Sequence, residues 1–275
     1  MNSSRRKLRV GIVGCGAIGS RIAHSICHEL KPDCLISGLY DVLEEKTFQL
    51  EKKLSLRNKV YPSLEELIKN CDFVVEAVNA KNTRSIIRQA LQAKRSVLVM
   101  SVGKMLNAQD LFKLAKINKC NLLLPSGAIA GIDAIKAASL VGIDTLTLTT
   151  RKPIAGFKDN VYFLKKGVDL SQIKKETIIF EGGVEEAVRL FPQNINVAAT
   201  IALASGVKKK MVIRILTSPR YKINSHEIEM TGSFGRMVTR TENCICPDNP
   251  KTSYLAVLSG IQTLKQFCEG VLIGT

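Results

Sequence analysis

The sequence predicts an α/β protein, a doubly wound parallel sheet joined to a second, smaller α+β domain. Three observations predict it. Through residue 125, short apolar runs rich in β-branched residues alternate with amphipathic segments, the order of strand–helix–strand units whose crossovers impose parallel pairing. A Gly14-Cys-Gly16-Ala-Ile-Gly19 turn separates the first apolar run from the first amphipathic segment. Beyond Gly131 the strand-like runs follow one another with less between them. The expected organisation is a first domain at 1–125, a second at 126–250, and a segment at 251–275 returning to the first.

Leu8–Val13 is a short strand, and Ile18, Ile22, Ile26 and Leu30 recur at helical spacing after the glycine turn. The three glycines have separate roles. Gly14 permits a tight turn, Gly16 lets the backbone approach a pyrophosphate, and Gly19 lets the helix pack on the strand. Strand, turn and helix in this order are the context that gives the pattern meaning, and they point to a Rossmann domain binding NAD or NADP. The next strand, Cys34–Tyr40, ends at Asp41, 22 residues beyond Gly19. Asp41 has two readings. It accepts hydrogen bonds from the adenosine ribose, which favours NAD over a cofactor with a 2′-phosphate, or it caps the next helix, since Asp41-Val-Leu-Glu44 has the capping-box spacing.

The alternation continues with a helix near 44–54, a short strand at Lys59–Tyr61 and a helix opened by Ser63-Leu-Glu-Glu66. Strands at Phe73–Val78, Ser96–Ser101 and Asn121–Pro125 follow, with helices near Thr83–Ala93 and from Asn107 between them. Ligands on such sheets lie beyond the carboxyl ends of the strands, so Ala77–Ala80, Ser101–Gly103 and Ser126–Gly131 are expected to line the cofactor crevice. In the second half, Thr145–Thr150, Thr177–Glu181, Met211–Thr217 and Ile223–Met230 read as strands. Gly183–Phe191 and Asn194–Leu203 read as helices broken at Pro192. Thr252–Phe267 is amphipathic, with Leu255, Val257, Leu258, Ile261, Leu264 and Phe267 at helical spacing.

The chain has 275 residues and a formal net charge of +16, from 40 Lys+Arg against 24 Asp+Glu. The basic residues are scattered and carry no interleaved stacking aromatics, which argues against nucleic acid as partner. A basic field attracts dinucleotide phosphates and a dicarboxylate equally well. No apolar signal core follows the basic start and no run reaches the length of a membrane span, so a cytoplasmic protein is expected. The eight cysteines contain no CxxC pair, as expected of reduced thiols. Cys244-Ile-Cys246 lacks further ligands for zinc, and no metal is expected.

Of three histidines, His24 and His28 stand i, i+4 on the first helix without a third ligand, as a surface or structural pair. His226 differs. In Asn224-Ser-His226-Glu-Ile228-Glu-Met230, strand parity puts it on the face of Ile228 and Met230, the covered face. A ring there is either a core histidine satisfied by a backbone carbonyl or a general base.

Four segments, Leu124-Pro-Ser-Gly-Ala-Ile-Ala-Gly-Ile-Asp-Ala134, Phe191-Pro-Gln-Asn-Ile-Asn-Val-Ala-Ala199, Asn224-Ser-His-Glu-Ile228 and Asn249-Pro-Lys-Thr-Ser253, closely resemble the L-aspartate dehydrogenase family over nearly the whole chain. The resemblance implies oxidation of L-aspartate to iminoaspartate, then oxaloacetate and ammonia, with NAD or NADP, in a setting that feeds NAD biosynthesis. It also implies a homodimer, cofactor contacts at Ala130 and Asn196, and His226 as the active-site residue. Arg151, Lys152, Arg236 and Lys251 are all candidates for the substrate carboxylates. Two other readings stand beside this one: a Rossmann oxidoreductase acting on another small anionic substrate, and a non-catalytic NAD-binding regulator.

Overall fold

A computed structural model describes residues 6–78, 82–157, 160, 162–163, 169–191, 196–247 and 249–274, without the side chains of 249–251. Residues 79–80 of the expected crevice lining and 192–195 of the expected helix break lie outside the described residues. The chain divides into two compact units, one of residues 1–125 with 257–272, the other of residues 126–256 with 273–275.

In the first unit, β1 (Leu8–Val13), β2 (Cys34–Tyr40), β3 (Phe73–Glu76), β4 (Ser96–Val99) and β5 (Leu122–Leu123) form a parallel sheet in the order β2-β1-β3-β4-β5. Between them run α1 (Ala17–Cys27), α2 (Glu44–Lys53), α3 (Leu64–Lys69), α4 (Thr83–Gln92) and α5 (Gln109–Ile117). The strands read as continuous apolar runs because both of their sides are covered: Val10, Ile12, Phe73, Val74, Val75, Val97 and Leu98 are fully buried. Ser63 caps α3, its Oγ accepting from the Glu66 amide at 3.2 Å, as the capping-box spacing predicts.

Several expected boundaries shift. The stretch at 59–61 makes only an isolated bridge, Leu39 to Val60, rather than a strand. The first helix stops at Cys27, and Leu30 is buried just beyond it.

The second unit is built on a mixed sheet in the order β10-β9-β6-β8-β7. Its strands are β6 (Ile143–Pro153), β7 (Thr177–Gly183), β8 (Met211–Ser218), β9 (Asn224–Gly232) and β10 (Gly235–Asn243). The helices are α6 (Ile132–Ser139), α7 (Val184–Leu190) and α8 (Asn196–Ser205); α6 packs on α8, and α7 on β7 and β8. Leu146, Leu148, Met211, Ile213, Ile215, Ile228 and Met230 form the buried face. A short ribbon of β11 (Ile245–Cys246) and β12 (Asn249–Ser253) then leads into α9 (Tyr254–Glu269).

The strand β12 takes the first residues of the helix expected from Thr252. Most of α9 belongs to the first unit, where Phe267 packs on Phe73 with ring centroids 4.8 Å apart, and Cys268 hydrogen-bonds Cys34. Among the described residues, no helix is long and apolar enough to cross a membrane.

Candidate active site

The glycine turn of the first unit is shaped by what lies around it. Gly14 has φ +96°, a left-handed conformation that suits glycine, and a Cβ there would come within 2.6 Å of the Ala77 carbonyl oxygen. A Cβ on Gly19 would stand 1.9 Å from the Gly14 carbonyl oxygen, so α1 approaches the turn more closely than any side chain permits. Gly16, at the N-cap of α1, faces open space. The turn therefore leaves room where a pyrophosphate would approach the free N–H groups of the helix start.

Asp41 closes the turn from the other side. One carboxylate oxygen accepts from the Cys15 amide at 2.8 Å and the other from the Leu43 amide at 2.9 Å. The helix-cap reading of Asp41 is thereby corrected. Helix α2 begins at Glu44 with Leu43 at its N-cap and no side-chain cap, and Asp41 forms a turn two residues on while tying β2 to the glycine turn.

Glu76, at the carboxyl end of β3, went unremarked in the sequence although a carboxylate in the run Phe73-Val-Val-Glu76 was a visible signal. It is fully buried and accepts from the Val78 amide at 3.0 Å, the Ser101 amide at 3.1 Å and the Ser101 hydroxyl at 2.9 Å. It thus holds together the starts of two segments expected to line the crevice, those after β3 and β4. Burial pushes its carboxyl up to about 7 in spite of these three donors.

In the second unit, His226 lies on the buried face as parity predicts, 5% exposed beside Ile228 and Met230. Its partner is a side chain. Thr150 stands directly opposite it on β6, and the Thr150 hydroxyl and His226 Nδ1 are 3.0 Å apart. Burial first, and then the positive charge of Lys152, lower the imidazole pKa to about 3, so the ring is neutral at physiological pH. Burial likewise lowers the Lys152 ammonium to about 8.

The strand β10 brings the loop before α6 alongside. Thr241, opposite His226 in register, donates to the Ala128 carbonyl at 2.8 Å; Asn243 donates to the same oxygen at 3.0 Å, and Thr239 to the Ala130 carbonyl at 3.3 Å. Ala130 itself is exposed.

The sequence-predicted residues thus fall into groups. Gly14, Gly16, Gly19 and Asp41 form one, around the turn of the first unit. Ala130 and His226 are joined through β10 in the second. Asn196 is exposed on a separate element, the first residue of α8. His24 and His28 stack with ring centroids 4.0 Å apart, and among the described residues no group of three or more His, Cys, Asp or Glu is placed to hold a metal.

Residues 133–267 match the family model described as aspartate dehydrogenase, C-terminal, and residues 14–125 match that of the homoserine dehydrogenase NAD binding domain. The L-aspartate dehydrogenase of Methanosarcina mazei is 45% identical over 271 residues, covering 98% of this chain and 100% of that protein. That of Methanocella arvoryzae is 40% identical over 270 residues, covering 97% and 99%. The crystal structure of an aspartate dehydrogenase from Thermotoga maritima shares the fold, with a TM-score of 0.72 and 24% identity over 98% of this chain and 100% of that one.

Proposed function

The chain belongs to the L-aspartate dehydrogenase family, and from that premise we propose that it oxidises L-aspartate to iminoaspartate with NAD or NADP. The first unit holds the cofactor through the turn at Gly14, Gly16 and Gly19, with Asp41 at the ribose, a carboxylate that favours NAD. Ala130 and Asn196 are the further cofactor contacts. When bound, the cofactor supplies the hydride acceptor.

The observation that carries the chemistry is the buried, neutral His226 and its contact with Thr150. Loss of hydride from the substrate Cα requires an amine lone pair to stabilise the developing imine, so the substrate ammonium must first lose a proton. With Nδ1–H donating to the Thr150 hydroxyl, His226 presents an unprotonated Nε2, and the carboxylates of a bound substrate beside the ring offset the burial and the Lys152 charge that hold its pKa low, so that it takes that proton. Once Nε2 has passed that proton to solvent it accepts a proton from the water that adds to Cα of iminoaspartate, and returns it to the nitrogen as the C–N bond breaks to give oxaloacetate and ammonia. Because the imine is intrinsically labile, it is also the product that a biosynthetic consumer would have to capture. We assign the protein to the cytoplasm, where its eight free cysteines stay reduced, and expect a homodimer by sedimentation.

Absorbance of reduced nicotinamide tests the reading, with L-aspartate and NAD or NADP and His226→Ala beside the wild type. Turnover by the wild type, and a variant that binds cofactor yet loses at least about 100-fold in kcat, are expected. Cofactor binding without aspartate turnover in either direction would leave only the nucleotide-binding domain of this assignment.

A further inference from the structure

The sheet of the second unit sorts its charges by face. Strand parity places Glu227 and Glu229 of β9, Glu242 of β10 and Glu181 of β7 on the face opposite to His226, where they meet Arg151, Arg236, Arg240 and Arg214 in ion pairs of 2.8–3.3 Å. Among the described residues, the strands bring no carboxylate to the Thr150 end of the His226 face; Asp144, the acidic residue of β6, lies at the opposite end of that strand, beside the irregularity between Ile143 and Thr145. The apolar part of the His226 face, Leu146, Leu148, Ile213, Ile215, Ile228 and Met230, gives way at one end to Thr150, Lys152, Thr217, His226 and Thr241. Lys152 is two residues beyond Thr150 on β6, on the same side, and near enough for its charge to act on the imidazole. Its backbone is held by the buried Thr217 hydroxyl, which donates to the Lys152 carbonyl at 2.8 Å. A positive end on a half-buried polar patch beside the base is suited to an anion.

Of the four cations that the sequence offers for the substrate carboxylates, the register separates three. Arg151 points away from His226 and pairs with Glu227 at 3.3 Å; Arg236 is exposed on that same far face and pairs with Glu229 at 2.8 Å. Lys152 alone of these three shares the face of the base. We propose that Lys152 is a substrate-binding residue that receives one carboxylate of the dicarboxylate substrate beside His226. The inference rests on the aspartate reading and adds the residue that makes the site select an acidic amino acid.

The test is Lys152→Met, of similar length and without charge, with Lys152→Gln as a second variant should the first fail to fold by circular dichroism. With NAD affinity unchanged by fluorescence titration, KM for L-aspartate should rise about 10-fold to 100-fold, by more than kcat falls. Succinate, an unreactive dicarboxylate, should raise the melting temperature of the wild type with NAD and not that of the variant. L-Asparagine identifies which carboxylate is held. A variant that loses preference for aspartate over asparagine places the side-chain carboxylate on Lys152, and equal losses on both place the α-carboxylate there; either supports the proposal. An unchanged KM with the succinate shift retained, whether or not kcat falls, overturns it. A wild type that turns over no aspartate overturns the family-based reading and this inference with it, whereas wild-type turnover with an unchanged variant KM overturns this inference alone.

Discussion

At the scale of single residues, the behaviour of His226 follows from where its strand puts it. An imidazole whose pKa is lowered from 6.5 to about 3 binds no proton in the folded state between those values, while the unfolded chain does. Acid therefore favours unfolding across that window, and stability present above pH 6.5 is lost as the pH falls toward 3, with a limiting slope of about 1.4 kcal/mol per pH unit. Denaturation midpoints at pH 7, 6 and 5 should fall less steeply for His226→Gln than for the wild type. Glu76 acts in the opposite sense in the first unit. Its carboxyl, raised from 4.5 to about 7, keeps its proton in the folded state, so its contribution weakens as pH rises through that range. Thr150 acts through His226: Thr150→Val should lower kcat at least about tenfold with KM for aspartate nearly unchanged, and Thr150→Ser should recover most of the loss. The face occupied by His226 was legible from its i+2 and i+4 neighbours. Its threonine partner was not, because the pairing of residue 150 with 226 depends on a register between strands 76 residues apart.

Among the elements, the strand–turn–helix at the start of the chain was the most legible, since strand period, glycine spacing and helix period all change within Leu8–Cys27. Its geometry separates two alanine substitutions. Gly19→Ala drives a Cβ into the Gly14 carbonyl and should destabilise the protein by about 1–3 kcal/mol, seen as a lower melting temperature. Gly16→Ala meets open space and should fold normally, yet bind NAD(P) more weakly in a fluorescence titration because its methyl occupies the pyrophosphate approach. A Gly16→Ala protein with wild-type affinity would count against the turn as the phosphate site. By contrast, β10 could not be read from hydrophobicity. Gly-Arg-Met-Val-Thr-Arg-Thr-Glu-Asn is an edge strand with one outer face in water and threonines turned toward a loop, so it shows no clean apolar alternation. The helix Ile132–Ser139 was missed for a different reason: the left-handed Gly131 that starts it supplies no side-chain cap, and only Ile135 and Ala138 are buried along it.

Over the whole molecule, the chain makes its first unit from two stretches far apart in sequence, 1–125 and 257–272. The returning helix covers Phe73 with Phe267 and sets Gly260 against Met100, where a Cβ would come within 2.6 Å of the sulfur. A chain ending at residue 253 retains every residue of the glycine turn, and should nevertheless lose NAD(P) affinity and bind an apolar-surface dye, while retention of full affinity would make α9 dispensable. The same arrangement sets the order of events during synthesis on the ribosome. The glycine turn and the sheet behind it are translated before the second unit, but part of their apolar covering follows only after it. For that interval the nascent protein carries an uncovered patch around Phe73, a place for a chaperone to hold it.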